Sequence, residues 1–181
     1  MNNIFQLFNL RNLLLIAISL YFLTGCGFQL RGSFELPPGL EKIAIDDVTT
    51  TSDIAQVLKT QLRRHNITPL KKVEDAKLVI VIDKEAYSRR VLTVSPEGKV
   101  QEFELMYTVN YALLNRQNEK ASVSNQFLSV KRDLRFDETA VLGVTSEESR
   151  LNREMVSSAA EQILRRLQNV ATAKPEEVKQ E

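Results

Sequence analysis

The stretch Val100-Gln-Glu-Phe-Glu-Leu-Met-Tyr-Thr-Val-Asn-Tyr-Ala-Leu-Leu114 alternates apolar and polar side chains over most of its length. Its odd positions carry the large apolar side chains, from Phe103 to Leu113, and its even positions include the polar residues Glu102, Glu104, Thr108 and Asn110. Because successive side chains of a strand point to opposite faces of a sheet, we predict a long strand with one buried face and one polar face.

Turn and strand signals flank this strand on both sides. Before it, Ser95-Pro-Glu-Gly98 has Pro and Gly at the second and fourth positions that a type I turn favours. The segment 87–94 is strand-like, and the β-branched run at 77–83 is typical of a buried strand. After the strand, residues 115–118 predict a second turn and residues 121–131 a further antiparallel strand. We therefore expect a long hairpin followed by one more strand.

Two segments carry a single apolar stripe each, as helices that cover a sheet do. The first follows a short strand candidate at 42–45, with Ser52 predicted as its N-cap and Asn66 as its left-handed C-cap. The second is predicted to begin at the capping box Thr145-x-x-Glu148. The two stripes consist of Ile54, Val57, Leu58 and Leu62, and of Leu151, Met155, Ala159, Ile163 and Leu167.

The predicted element order is therefore β-α-β-β-β-α. The strand–helix–strand crossover can set two strands parallel, and the hairpins add antiparallel strands. Two helices with one apolar stripe each should cover one sheet face. We predict an α/β (α+β) two-layer sandwich, with both helices on one face of a mixed four-stranded sheet and a polar opposite face.

Composition excludes several classes of protein. Lys and Arg number 24 and Asp and Glu 23, so the net charge of +1 gives no basic field for nucleic acid. One Cys and one His cannot form an intrachain disulfide or a four-ligand Cys/His zinc site. His65 is predicted to be solvated at a helix end, and Glu102 and Glu104 share an open strand face instead of a cleft. We predict no enzymatic activity, no metal and no cofactor other than a covalent lipid.

The N-terminal segment indicates that lipid. The apolar run from Leu13 to Leu23 is too short to span a bilayer and matches the apolar part of a secretory signal peptide. Leu23-Thr-Gly-Cys26 follows it. An ordinary signal peptide with an incidental Cys is one interpretation; the other is a bacterial lipobox, which this segment resembles. In a lipobox the thiol of Cys26 receives a diacylglycerol, the chain is cut before Cys26, and the new amine is acylated.

The lipobox interpretation sets the domain boundaries. We predict a cleaved signal peptide at 1–25, a lipidated tether at 26–41, a single domain at 42–170 and a flexible tail at 171–181. Cleavage removes one basic residue, Arg11, so the side chains of the mature protein carry no net charge. Residue 27 is Gly and not Asp, which resembles the outer-membrane address of enterobacterial lipoproteins. We expect a protein of the outer membrane, anchored by lipid on its periplasmic side.

Several ordered segments together resemble the LPS-assembly lipoprotein family LptE. Cys26-Gly-Phe-Gln-Leu-Arg31 resembles the mature start of that family, and the match continues through the hairpin from Gly98 to Val109. It resumes at Arg135-Phe-Asp and extends along the last helix to Leu167.

The resemblance implies a plug inside the outer-membrane β-barrel LptD, which inserts lipopolysaccharide into the outer leaflet. It also implies that the plug helps the barrel assemble and contacts lipopolysaccharide near the hairpin tip. By the resemblance, enterobacterial relatives carry a basic residue at the tip just before the turn glycine and another in the loop before the last helix; this chain has Pro96 and Val144 there. Lys99 is therefore the first candidate for lipopolysaccharide contact, and Arg89 and Arg90 are secondary candidates. Since neighbours on a strand point to opposite faces, one of these two arginines should lie on the polar sheet face.

Two alternatives to the plug remain open at this point. One is a periplasm-facing adaptor lipoprotein that activates a cell-wall synthase or another envelope machine, with the same anchor and fold class. The other is a lipoprotein hydrolase, against which the missing nucleophile–base set argues.

Overall fold

The computed structural model describes residues 41–47, 52–137, 139 and 141–173, without the side chains of residues 141 and 142. The predicted signal peptide, Cys26 and nearly all of the predicted tether lie outside the described residues, as does the end of the predicted tail. Of the helices in the described part, none is both long and apolar enough to cross a membrane.

The described strands form one mixed sheet in the order β1-β2-β3-β4. They are β1 (Ile43–Asp47), β2 (Leu78–Val94), β3 (Val100–Asn115) and β4 (Val123–Arg135). β1 pairs with β2 in parallel, and the other neighbours are antiparallel. The segments predicted separately at 77–83 and 87–94 belong to a single strand, β2, which has a bulge at Asp83. The mixed four-stranded sheet and the element order confirm the predicted fold class.

Two α-helices, α1 (Asp53–Arg64) and α2 (Val141–Thr172), accompany the sheet. Both predicted caps of α1 are confirmed: the Ser52 side chain accepts a hydrogen bond from the Ala55 N–H, and Asn66 has φ of 61°. The N–H groups of Asn66 and Ile67 donate to carbonyls of the last helical turn, each at 3.0 Å. This is the Schellman arrangement that closes a helix at its C-terminus.

The predicted start of α2 is wrong. The helix begins at Val141, so Thr145 lies inside it and the segment from Thr145 to Glu148 is not a capping box. Val144 packs against the core, which explains why the turn before Thr145 is helical. α2 also extends to Thr172 and buries Ala171, two residues that we assigned to the tail. The Asn115 side chain holds this end, because its Nδ2 donates to the Val170 carbonyl at 3.1 Å.

The hydrophobic core lies between the helices and one face of the sheet. The odd positions of β3 from Leu105 to Leu113 are buried, as the alternation predicts, and Phe103 is partly buried. The predicted stripe of α2 is buried throughout, and so is that of α1 apart from the partly buried Val57. The opposite sheet face is mostly polar, with a small apolar cluster at the β1 end formed by Ala44, Ala76 and Val79.

Glu85 joins the start of α1 to the sheet. Its carboxylate accepts hydrogen bonds from the Ser52 hydroxyl at 3.1 Å and from the N–H groups of Asp53 and Ile54 at 2.9 and 3.3 Å. The Tyr107 hydroxyl donates to the same carboxylate at 2.7 Å. The first N–H groups of a helix have no partner within the helix, and a carboxylate there is favoured by the helix dipole. Glu85 therefore sets where α1 begins relative to β2 and β3.

We expect the Tyr107→Phe variant to be less sensitive to alkaline pH than the parent protein. Burial and the hydrogen bond to Glu85 raise the pKa of Tyr107 above its ordinary value of about 10. In the unfolded chain this tyrosine ionises first, so its contribution to stability is complete below about pH 10 and is lost as pH rises further. The slope of unfolding free energy against pH above 10 should fall by up to about 1.4 kcal/mol per pH unit.

Denaturant titrations between about pH 9 and 11.5 measure this slope. Tyr87, whose pKa is raised by burial and by its hydrogen bond to Glu148, adds to the slope in the same direction. Some alkaline sensitivity should therefore persist in the Tyr107→Phe variant. An unchanged slope would show that Tyr107 does not couple folding to pH.

Candidate functional site

The hairpin tip presents Lys99 immediately before β3. The Gly98 N–H donates to the Ser95 carbonyl at 2.9 Å, and the Ser95 N–H donates to the Lys99 carbonyl at 2.7 Å. Gly98 has φ of +79°, which side chains with a Cβ disfavour, so the turn needs glycine there. The result is the tight connection predicted from Ser95 to Gly98, with an exposed Lys99 directly after it.

Arg89 lies on the helix side of the sheet and is held by α2. Its guanidinium Nη1 lies 2.8 Å from Oε2 of Glu148, whose other oxygen accepts a hydrogen bond from the Tyr87 hydroxyl at 2.6 Å. The guanidinium also stacks over the Phe103 ring, 4.6 Å from its centre, and Phe136 contacts that ring edge-on. Through these contacts Arg89 holds the hairpin against the N-terminal part of α2. Because its guanidinium is already paired, Arg89 is less able to bind an external phosphate.

Arg90 lies on the opposite, open face of the sheet, so the two arginines divide between the faces as predicted. Its Nε donates to Glu104 at 2.7 Å, and Lys131 reaches the same carboxylate at 3.5 Å. The hydrogen bond from Arg90 lowers the pKa of Glu104. Glu104 lies on the open strand face as predicted, but only 9% of the residue is exposed, because Arg90 and Lys131 cover it from the neighbouring strands. The charge of Arg90 is therefore balanced within the sheet.

The three predicted contact residues do not form one cluster. Lys99 is at the tip, Arg89 faces the helices and Arg90 faces the open side of the sheet. The structure instead places Arg135 near Lys99, since both line one concavity of about 880 Å³ beside the tip. The Arg135 side chain is 94% exposed and approaches Glu102 only to 3.8 Å.

Sequence reasoning missed Arg135 as a candidate for lipopolysaccharide contact. It stands in Arg135-Phe-Asp, which contributed to the family resemblance without being assigned a role. Cross-strand register brings it to Glu102, its direct neighbour on β3, and that register is not visible in either strand alone. Val144 stands at the second of the two positions where the relatives have a basic residue. It lies within α2, partly buried against the core, and not in a loop before the helix as predicted.

We expect Glu148→Gln to loosen the hairpin without unfolding the domain. The variant loses the ion pair with Arg89 and keeps an oxygen that can accept from Tyr87. The stability cost should be small, about 0.5–1 kcal/mol, because the Arg89 side chain is 46% exposed and the pair is screened by water. Amide hydrogen exchange in residues 87–94 should accelerate. The control is Glu147→Gln, which removes only an exposed pair with Arg150 on α2; equal exchange in both variants would contradict the role of Glu148.

Solved structures of bacterial lipoproteins share this architecture. The solution structure of an uncharacterized lipoprotein B from Nitrosomonas europaea matches with a TM-score of 0.67 and 32% identity, over 81% of this chain and 94% of that one. The rare lipoprotein B from Shewanella oneidensis matches with a TM-score of 0.60 and 23% identity, over 68% and 91% of the two chains. The chain thus shares its two-layer fold with the class of solved bacterial lipoproteins.

Sequence relatives then define the family. The family model LptE, described as lipopolysaccharide-assembly, matches residues 40–167. The LPS-assembly lipoprotein LptE of Photorhabdus laumondii is 25% identical over 92% of this chain and 90% of its own length. That of Pectobacterium atrosepticum is 24% identical over 85% and 83%. The chain belongs to the LptE family of lipopolysaccharide-assembly lipoproteins, which confirms the predicted resemblance.

Proposed function

We propose that this protein is an outer-membrane lipoprotein, anchored through acyl chains on Cys26, that plugs an LptD-like β-barrel and helps it assemble. The barrel would insert lipopolysaccharide into the outer leaflet with the plug in its lumen. Family membership supports the role in lipopolysaccharide assembly. The partner, the position in the lumen and the outer-membrane address are the parts proposed here.

The observation that supports a plug is the charge pairing on the open sheet face. Glu104 is bonded to Arg90 and Lys131, and Glu102 pairs with Arg135 and accepts a hydrogen bond from Thr93 at 3.1 Å. The lumen of an outer-membrane barrel is polar. Carboxylates that are already paired, as Glu102 and Glu104 are, can lie against such a wall without being left as isolated charges out of water. The apolar residues of the core are meanwhile enclosed on the helix side.

We further propose that Lys99 and Arg135 attract the phosphates of lipopolysaccharide at the tip, since cations bind phosphate oxygens through charge-assisted hydrogen bonds. Lys99→Glu should weaken lipopolysaccharide binding by the purified protein about tenfold, because the substitution replaces attraction by repulsion. Binding to labelled lipopolysaccharide in detergent measures the effect. Lys120→Glu is the control, since Lys120 lies in the β3–β4 connection at the other end of β3. Equal affinity of the two variants would remove Lys99 from the site.

Depletion of the protein tests the assembly role. If the plug assists the barrel, depletion should cause the barrel protein to accumulate in a misassembled form while unrelated outer-membrane barrels assemble normally. Normal barrel assembly after depletion would contradict the proposal and would favour the adaptor alternative. We propose no catalytic step for this protein, since its role is to occupy, support and bind.

A further inference from the structure

A second concavity lies on the open sheet face, away from the hairpin tip. It measures about 540 Å³, within the range of about 300–1,000 Å³ that ligand pockets occupy. Val81 and Ala112 contribute apolar surface to it. Its polar and aromatic lining comes from Asp83, Asn110, Tyr111, Asn125 and Phe127. We call it the Phe127 concavity.

An exposed aromatic ring borders the Phe127 concavity. Phe127 is 64% exposed, the largest fraction among the exposed large hydrophobic residues of the described chain. It is the direct cross-strand neighbour of Asn110, so the ring and the amide lie side by side on the same sheet face. A single exposed apolar residue is ordinary, but this ring stands beside polar groups that the fold leaves available.

Three polar side chains that line the concavity have no hydrogen-bond or ion-pair partner among the described residues. The hydrogen bonds and ion pairs of the described residues include none made by the side chains of Asp83, Asn110 or Asn125. Two of the three stand at irregular backbone positions. Asp83 is the extra residue of the β2 bulge, and Asn125 has φ of 51°, which is uncommon for a residue other than glycine. Bulges often redirect side chains at functional sites.

The chemistry of this lining fits a sugar ring better than a phosphate. Among the described residues that line the concavity there is no lysine or arginine, and Asp83 would repel an anion. A pyranose has an apolar face of C–H groups that can lie on an aromatic ring, and a rim of hydroxyls that both donate and accept. Asn amides also donate and accept, and a carboxylate accepts. The exposed Phe127 ring matches the apolar face of a pyranose, and the neighbouring amides and carboxylate match its hydroxyls.

We propose that the Phe127 concavity is a saccharide subsite that binds the oligosaccharide part of lipopolysaccharide. This inference rests on the proposed function for the source of the sugar. Two regions of the protein would then bind different parts of lipopolysaccharide. The cations at the hairpin tip bind its phosphates, and the Phe127 concavity binds its neutral sugar rings.

The test uses the full-length protein in detergent and the lipopolysaccharide core oligosaccharide, freed of its lipid by mild acid. Saturation-transfer NMR and calorimetry measure its binding. Phe127→Ala and Asn110→Ala should each weaken binding about tenfold, and Phe127→Tyr should preserve it. Val91→Ala is the matched control, because Val91 is a half-exposed apolar residue elsewhere on β2. The Phe127 side chain contributes little to the core, so its removal should leave the melting temperature unchanged.

The outcomes distinguish the subsite from the proposed function. Absence of oligosaccharide binding, with intact lipopolysaccharide still bound through Lys99, would overturn the subsite and leave the plug role standing. Equal binding of peptidoglycan fragments would overturn lipopolysaccharide as the source. Loss of barrel capture in Phe127→Ala without any change in oligosaccharide binding would identify the surface as a protein contact and overturn the proposal. Selective loss of oligosaccharide binding, with barrel capture retained, is the result expected.

Discussion

The Glu85→Ala variant should lose about 3 kcal/mol of unfolding free energy, a large part of the stability of a domain of this size. The substitution removes one carboxylate and leaves several donors without an acceptor. Two N–H groups at the start of α1 and the Tyr107 hydroxyl all donate to Glu85. Tyr107 is only 4% exposed, so water cannot readily replace the lost acceptor. Each unsatisfied buried donor costs about 1–3 kcal/mol.

Thermal unfolding by circular dichroism measures the loss, which should lower the melting temperature by about 10 °C. Glu85→Gln retains one oxygen as an acceptor and should lie between the parent protein and Glu85→Ala. The matched control is Glu161→Ala, which removes an exposed carboxylate that pairs with Arg165 at 3.9 Å on α2 and should cost little. Similar melting temperatures for the two alanine variants would show that Glu85 does not anchor α1.

The Cys26→Ala variant should release the protein from the membrane. Each lipid CH₂ buried in a bilayer contributes about 0.8 kcal/mol, and two or more acyl chains give stable anchoring. Without the thiol there is no site for the diacylglycerol, so the anchor is lost completely. The variant should incorporate no labelled palmitate and leave the membrane fraction. Barrel assembly should also fall, because the plug would no longer be held where the barrel forms.

Gly27→Asp is the matched control for this prediction. It keeps the thiol, so labelling should persist, but the Asp resembles the inner-membrane retention signal of enterobacterial lipoproteins. The protein should then remain membrane-bound and move to the inner-membrane fraction. Palmitate labelling of Cys26→Ala, or its retention in the outer membrane, would contradict lipid attachment at Cys26.

Local sequence patterns predicted the layers of the fold because burial follows strand and helix periodicity directly. The alternation along β3 identified its buried face, and the stripes of α1 and α2 identified theirs. The start of α2 was predicted wrongly because Thr145 and Glu148 have the spacing of a capping box. That spacing does not depend on the tertiary contacts that the two side chains make. Glu148 instead bonds to Arg89 and Tyr87 on β2.

The candidate site was less predictable because it depends on contacts distant in sequence. Nothing near Glu85 in the sequence indicates that it caps a helix more than thirty positions earlier. The pairing of Arg90 with Glu104 requires the β2–β3 register, and that of Arg135 with Glu102 requires the β3–β4 register. Lys99 could be placed at the tip because a turn of a few residues determines its position.

Affinity purification of the protein from detergent-solubilised outer membrane tests the central claim most directly. Quantitative mass spectrometry should find one β-barrel protein of the LptD type in a stoichiometric ratio with the tagged lipoprotein. The Val91→Ala variant, which is the control for the saccharide subsite, should capture the same barrel protein. Recovery of the lipoprotein without a stoichiometric barrel, or with a cell-wall synthase in its place, would contradict the account of this protein as a barrel plug.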